Sequence, residues 1–236
     1  MNVKLISFSA PSPEMPVEIK DAQDLIAFCA RVSNPSNQLN TDTSEKLIRY
    51  LVNHKHWSPL EMVSACLEIE TTRDIARQIL RHRSFSFQEF SQRYADPTKD
   101  LDFVLREARL QDNKNRQNSI KIDDESDEKV WINPSNFESY TKKEAFDYLQ
   151  QMVIEHALYA YETSIKLGIA KEQARCFLPE GLTMSRMYMN GTLRSWIHLI
   201  QVRQDVSTQL ENREIAIMIK EELINHFPSI KDILEK

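Results

Sequence analysis

Only three of the 236 residues are glycine: Gly168, Gly181 and Gly191. Neither a dinucleotide-binding glycine fingerprint nor a Walker phosphate loop can be assembled from them. A Rossmann-type nucleotide domain is therefore not expected. If this chain binds a phosphorylated ligand, side chains must hold the phosphates, and arginine is the obvious candidate.

The densest cationic stretch runs from residue 81 to 93. It reads Arg81-His82-Arg83, then seven residues, then Ser91-Gln92-Arg93. Adjacent cationic groups repel one another and desolvate badly unless an anion binds there. Arginine offers a planar fork of donors that matches phosphate or carboxylate, and histidine donates, accepts or stacks. An arginine ten residues after Arg83 suits a fold that returns the chain to the same anion. Glu89 lies among these residues, either to neutralise them or to hold a ligand hydroxyl or amide. Ser91 has no base at recognisable spacing, so a ligand hydrogen bond is expected of it and a nucleophilic role is not.

This cluster sits in an acidic chain of net charge -5 and pI near 5.8. That balance argues against a general nucleic-acid binder and for a small anionic ligand. Cys29, Cys66 and Cys176 are odd in number and show no CxxC spacing, so they read as buried thiols of a reducing compartment. No metal site is expected. Met1 to Pro16 has no apolar run after a basic start. No apolar run approaches the ~18 residues that span a bilayer. The expected location is the cytoplasm, with no membrane contact.

Alternation predicts strands at Val3–Ser9, Ala65–Glu70, Phe103–Glu107 and Thr183–Met189. Helical spacing predicts helices over Asp21–Val32, from Thr43 or Ser44 to His54, and from Thr71 or Thr72 to His82. On the last of these Arg73, Arg77 and Arg81 recur at i, i+4, i+8, and Gln78, Arg81 and His82 share a face. Tyr140–Leu167 reads as a long helix with Phe146, Leu149, Val153, His156, Ala157 and Ala160 roughly along one stripe, ended by Gly168. A short helical piece covers Lys171–Phe177. Thr192 caps a helix to about Gln204, and a last helix spans Gln209–His226. Residues 108–137 read as a polar, solvated excursion.

Three further segments carry chemistry. In His56-Trp57-Ser58-Pro59-Leu60-Glu61, an imidazole, a hydroxyl and a carboxylate share one turn, which the Ser58/Glu61 spacing would also explain as a capping box. In Ala174-Arg175-Cys176-Phe177-Leu178-Pro179, an arginine among apolar residues needs a partner, with Glu172 the nearest acid. In Leu193 to Arg203, Arg194, His198 and Gln201 share one helical face while Arg203 points roughly the other way.

Taken together, these segments resemble the flavin-dependent thymidylate synthases. RHR-x7-S-x-R is that family's signature and is complete here. Ala30-Arg31-Val32-Ser33 and the three segments above also match in order and spacing, so the resemblance covers roughly residues 25 to 225. It implies an α/β (α+β) subunit with a curved mixed sheet and flanking helices. That subunit would be one domain over residues 1–236, assembled as a homotetramer with active sites shared between chains. It implies conversion of dUMP to dTMP, with 5,10-methylenetetrahydrofolate as carbon donor, NADPH as reductant and bound FAD.

By the same resemblance Ser58, Arg81, His82, Arg83 and Glu89 match flavin-binding positions, as do Thr192, Leu193, Arg194 and His198. The stretch Gln78, Ile79, Leu80 and Arg81 matches dUMP-binding positions. So do Glu89, Phe90, Ser91, Gln92 and Arg93, together with Arg175 and Arg203. Arg203 matches the arginine that assists ionisation of uracil N3 and is the candidate catalytic residue. Ser33 and His56 match active-site positions of undefined role. The chain departs from the family at Gln92, where a small residue is common, at Met62, where histidine is frequent, and at Thr192, where some members have asparagine.

Two other readings compete. One is a nonenzymatic binder of nucleotides or single strands, with Phe85, Phe87, Phe90 and Tyr94 as a stacking patch. The other is a flavin reductase without carbon transfer.

Overall fold

The computed structural model describes residues 1–124, 127–131 and 139–235. The chain opens with strand β1 (Asn2–Phe8), helices α1 (Ala22–Ala30) and α2 (Ser44–Asn53), and strand β2 (Ser64–Thr72). Helix α3 (Arg73–Ile79) follows directly and leads to β3 (Phe85–Glu89) and the short α4 (Pro97–Asp100). Small strands β4 (Arg109–Gln111), β5 (Ser119–Lys121), β6 (Lys129–Trp131) and β7 (Ser139–Thr141) precede the long α5 (Lys142–Lys166). The chain then forms α6 (Lys171–Ala174), β8 (Met184–Thr192), α7 (Leu193–Arg203), α8 (Leu210–His226) and α9 (Lys231–Leu234).

The main sheet has the order β1-β2-β8-β3, and each pairing is antiparallel. The expected mixed sheet is therefore corrected to an antiparallel one. The physical reason was already in the alternation. A sheet covered on one face reads apolar-in and polar-out, whereas parallel strands covered on both faces read as continuous apolar runs. Along β2, Ala65, Leu67 and Ile69 are buried while Cys66, Glu68 and Glu70 are half-exposed. Leu67 pairs with Met189 and Ile69 with Met187, and this face packs on Ile75, Trp196, Ile197, Ile215 and Ile219 from α3, α7 and α8. The Trp196 indole N–H donates to the Ala65 carbonyl at 3.1 Å, so the largest core side chain leaves no polar group unmet.

Three further features differ from the expectation. Phe85–Glu89 forms a strand where the alternation analysis places none. Phe103–Glu107 is not a strand: only an isolated bridge joins Phe103 to Thr183. The Arg106 backbone N–H and carbonyl are taken instead by the Gln150 side-chain amide, at 2.7 and 3.1 Å, which removes the groups a ladder would need. Within the polar excursion, β4 pairs with β5, and β6 with β7. Its remaining residues 125–126 and 132–138 lie outside the described residues. On α5 a capping box of Thr141 and Glu144 starts the helix, and Gly168 at φ +81° ends it. Along its apolar stripe Phe146, Leu149 and Val153 are 40–48% exposed, while Ala157 is buried.

Candidate functional site

α3 runs back along the sheet, so the turn holding Arg81, His82 and Arg83 reaches the end of β3 that starts at Phe85. There Phe85 pairs with Gly191, one residue before α7 begins its N-cap. Thr192 caps α7 as expected, accepting the Ser195 N–H at 3.3 Å. The Ser195 hydroxyl donates to the Ser84 carbonyl at 3.3 Å and ties the two segments together. Trp57, Glu61, Ser84, Arg194, Ser195, His198 and Gln201 line a cavity of about 400 Å3. Glu61 pairs with Arg194 across it. The expected capping box of Ser58 and Glu61 is absent: the segment is a 3-10 turn without a side-chain cap, and the carboxylate is drawn to the arginine.

Arg203, at the end of α7, turns toward the same α3 corner. Its Nε–H donates to His82 Nε2 at 2.9 Å. Burial, with the nearby charges of Arg203 and His198, lowers the His82 pKa to about 4. The ring is therefore neutral at neutral pH, which it must be to accept this bond. One turn earlier on α3, Gln78 is bonded to the start of α8. Its Nε2 donates to Gln209 Oε1 at 2.7 Å and its Oε1 accepts from Asn212 Nδ2 at 3.1 Å.

The other half of the signature lies elsewhere. The four steps from Phe85 to Glu89 along β3, at about 3.3 Å each, carry the chain roughly 13 Å before Ser91 and Arg93 are reached. Within one chain an unbroken strand therefore separates Arg83 from Arg93. At this far end Glu89 receives Arg77 Nη1 at 3.1 Å and the Ser185 hydroxyl at 3.0 Å, with Arg73 at 3.7 Å. Burial pulls the Arg73 pKa down, and Glu89 opposes that shift. Arg73, Arg77, Gln92, Glu172, Arg175 and Cys176 are among the residues lining a second cavity of about 440 Å3.

Arg175 does not pair with the Glu172 carboxylate. Its Nε donates to the Glu172 backbone carbonyl at 3.2 Å, while the carboxylate lies 3.3 Å from Arg93. Gln92 is buried, and its Nε2 has no partner. The expectation of three buried thiols holds in part: Cys29 and Cys66 are half-buried with pKa values raised by burial, but Cys176 is exposed.

The sequence-selected residues thus form two groups. His198, His82 and Arg203 gather near the Phe85 end of β3, with Arg194 on the same helix α7 and Leu80, Arg81, Arg83 and Leu193 adjacent in sequence. The Gln78 amide, after which Ile79 ends α3, is held by the start of α8. Glu89 to Arg93, including Phe90, gather with Arg175 at the other end of the strand. Ser33, His56 and Ser58 are exposed and line neither cavity. Sequence reasoning gave no ligand role to Trp57, Ser84, Arg73 or Arg77. The i, i+4 recurrence of the two arginines was a usable signal, since both meet Glu89 and Glu180.

Comparison with known proteins follows the same lines. The family model described as thymidylate synthase complementing protein matches residues 17–229. A flavin-dependent thymidylate synthase from a Synechocystis strain is 46% identical over 235 residues, all of this chain and all of that protein. A probable flavin-dependent thymidylate synthase of Paramecium bursaria Chlorella virus 1 is 43% identical, over 100% of this chain and 99% of its own. The crystal structure of a UMP/dUMP methylase, PolB from Streptomyces cacaoi, shares the fold. It superposes with a TM-score of 0.74 at 21% identity, covering 98% of this chain and 92% of that one. With 213 of its residues matched by one family model and near-half identity to full-length relatives, the chain belongs to the flavin-dependent thymidylate synthases.

Proposed function

We propose that this enzyme converts dUMP to dTMP by reductive methylation, with FAD as cofactor, 5,10-methylenetetrahydrofolate as carbon donor and NADPH as reductant. It would act in the cytoplasm, where its three free thiols stay reduced. The observation that carries the reading is the Arg203–His82 bond. A neutral imidazole takes the Nε–H of Arg203 and leaves its two terminal nitrogens for a ligand.

The residues lining the cavity beside α7 fit a flavin. Trp57 supplies an aromatic wall, and Arg194, His198 and Gln201 supply donors for carbonyl and phosphate oxygens. Its volume of about 400 Å3 lies within the range of small-molecule sites. Bound there, the flavin would supply the hydride chemistry. The protein's own task is to bind, orient and polarise. Arg203 would face N3 and O4 of the uracil ring and stabilise the enolate-like anion that makes C5 nucleophilic. Charge stabilisation of this kind is typically worth about 3 kcal/mol per donor. Gln78 and Arg81 would border the nucleotide from the same side, with Ile79 and Leu80 as backbone neighbours. Glu89, Phe90, Ser91, Gln92, Arg93 and Arg175 would meet it from the other.

These two sets lie at opposite ends of β3, so one chain does not close the site. We assign the missing half to a second copy in a homotetramer. The outward stripe of α5, with Phe146, Leu149, Met152, Val153 and Tyr159 37–74% exposed, gives the apolar face such an assembly buries. Purified protein with a flavin absorption spectrum, forming dTMP only when dUMP, folate and NADPH are all supplied, is the expected result. NADPH oxidation indifferent to dUMP would favour a reductase and defeat the reading.

A further inference from the structure

An amide side chain can sit in its site in two orientations, one presenting N–H where the other presents oxygen. Gln78 is held in one of them by a chain of amides with a fixed direction. Asn212 Nδ2 donates to Gln78 Oε1, Gln78 Nε2 donates to Gln209 Oε1, and Gln209 Nε2 donates to Glu211 Oε2 at 3.0 Å. The chain ends on a carboxylate, which when ionised only accepts. Burial pushes the Glu211 pKa up, but its own backbone N–H, Gln209 and the charges of Arg109 and Arg106 outweigh that and lower it. Arg109 takes its other oxygen. Glu211 therefore dictates how Gln209 lies, and Gln209 how Gln78 lies. Asn212, buried at 2% exposure, closes the bracket from the far side.

We propose that Glu211, Gln209 and Asn212 are positioning residues for the nucleotide: they fix the polarity of the Gln78 carboxamide, so that its second N–H and second lone pair always face the ligand in one order. This rests on the assignment of Gln78 to the dUMP site. Asn212→Asp replaces the donor by an acceptor and drives the Gln78 amide to reverse. Asn212→Ala only removes one bond and leaves Gln209 to hold the orientation.

The test is calorimetric titration of dUMP into each full-length holoenzyme, at about pH 8 so that the new carboxylate is ionised, with melting temperature read in parallel. Asn212→Asp should weaken dUMP at least about tenfold, and Asn212→Ala by no more than about fivefold, the worth of one neutral bond. KM for dUMP should rise with kcat little changed. Equal losses in the two variants, or none in either, overturn the proposal. Should Asn212→Asp fail to fold, Gln209→Met decides. It cuts the relay without touching the Glu211–Arg109 pair, and unchanged dUMP affinity there overturns the proposal as well. Gln78→Ala separates the layers. If it leaves dUMP binding intact, the assignment of Gln78 to the site is wrong and the inference falls with it. If it weakens binding while the relay variants do not, the inference alone is wrong.

Discussion

His82 occupies the middle of the cationic signature, yet its value to the site is that it stays neutral. The unfolded chain would titrate near the ordinary 6.5, whereas the folded ring is held near 4 by burial and by Arg203 and His198. Between these values the unfolded state binds more protons, so stability falls as pH drops through that window. Above about 6.5 the contribution is complete, and below about 4 it has been lost along with the bond to Arg203. His82→Gln keeps an acceptor for the Arg203 Nε–H but does not titrate. The variant should therefore show a flatter melting temperature between pH 6.5 and 4 than the parent. Identical slopes would contradict the assignment. At neutral pH the same variant should retain most turnover, while Arg203→Ala should lose about 100-fold or more in kcat, the usual cost of removing a preorganised charge donor.

At the scale of elements, the close approach of β3 to β8 depends on one glycine. A Cβ on Gly191 would lie 2.3 Å from Phe85 Cδ1, because the Phe85 ring lies over that backbone position. The ring packs edge-on against Trp196 with centroids 4.6 Å apart and stands 6.4 Å from the His82 ring. Gly191→Ala should cost roughly 1–3 kcal/mol from overpacking, and should loosen flavin retention as His82 and Ser84 shift. Adding Phe85→Leu should recover part of the melting temperature, and a double variant no better than the single would exclude the steric account. The sequence showed the alternation of Phe85, Ser86, Phe87 and Gln88 as clearly as that of β2. Aromatic and acidic residues beside an arginine cluster read as ligand groups, and that reading hid the strand. The false strand at Phe103–Glu107 failed for a reason local pattern cannot carry: Gln150, 44 residues away, supplies the bonds of a neighbouring strand. The start of α7 was legible because its cap is local, at Thr192. Thr43 and Thr72 also stand at the N-cap positions of α2 and α3, but without a side-chain capping bond, since their hydroxyls serve Arg31 and Asp74.

At the scale of the whole molecule, the two halves of the signature flank the two ends of β3 in one chain. His82 and Arg203 meet near the Phe85 end of β3, and Arg93 pairs with Glu172 beyond its Glu89 end; the cavity lined by Arg194 and His198 and the one lined by Gln92 and Arg175 share no lining residue. No reading of a single chain could say which end of which copy faces which. Spacing along the sequence does not say whether the two halves meet within one chain or across two. The stripe on α5 carries a parallel ambiguity, since a helical pattern shows that a face is apolar but not what covers it. If each site takes Arg93 from one chain and Arg203 from its partner, Arg93→Ala and Arg203→Ala proteins should each be inactive alone. Unfolded together in equal amounts and reassembled, they should regain activity. A site is intact only when its Arg93 comes from the Arg203→Ala chain and its Arg203 from the Arg93→Ala chain. Random assembly therefore restores up to about a quarter of wild-type sites, the reciprocal sites lacking both arginines. If both residues serve a site within one chain, every site in the mixture lacks one arginine and activity stays at the level of the single variants, whatever the oligomeric state.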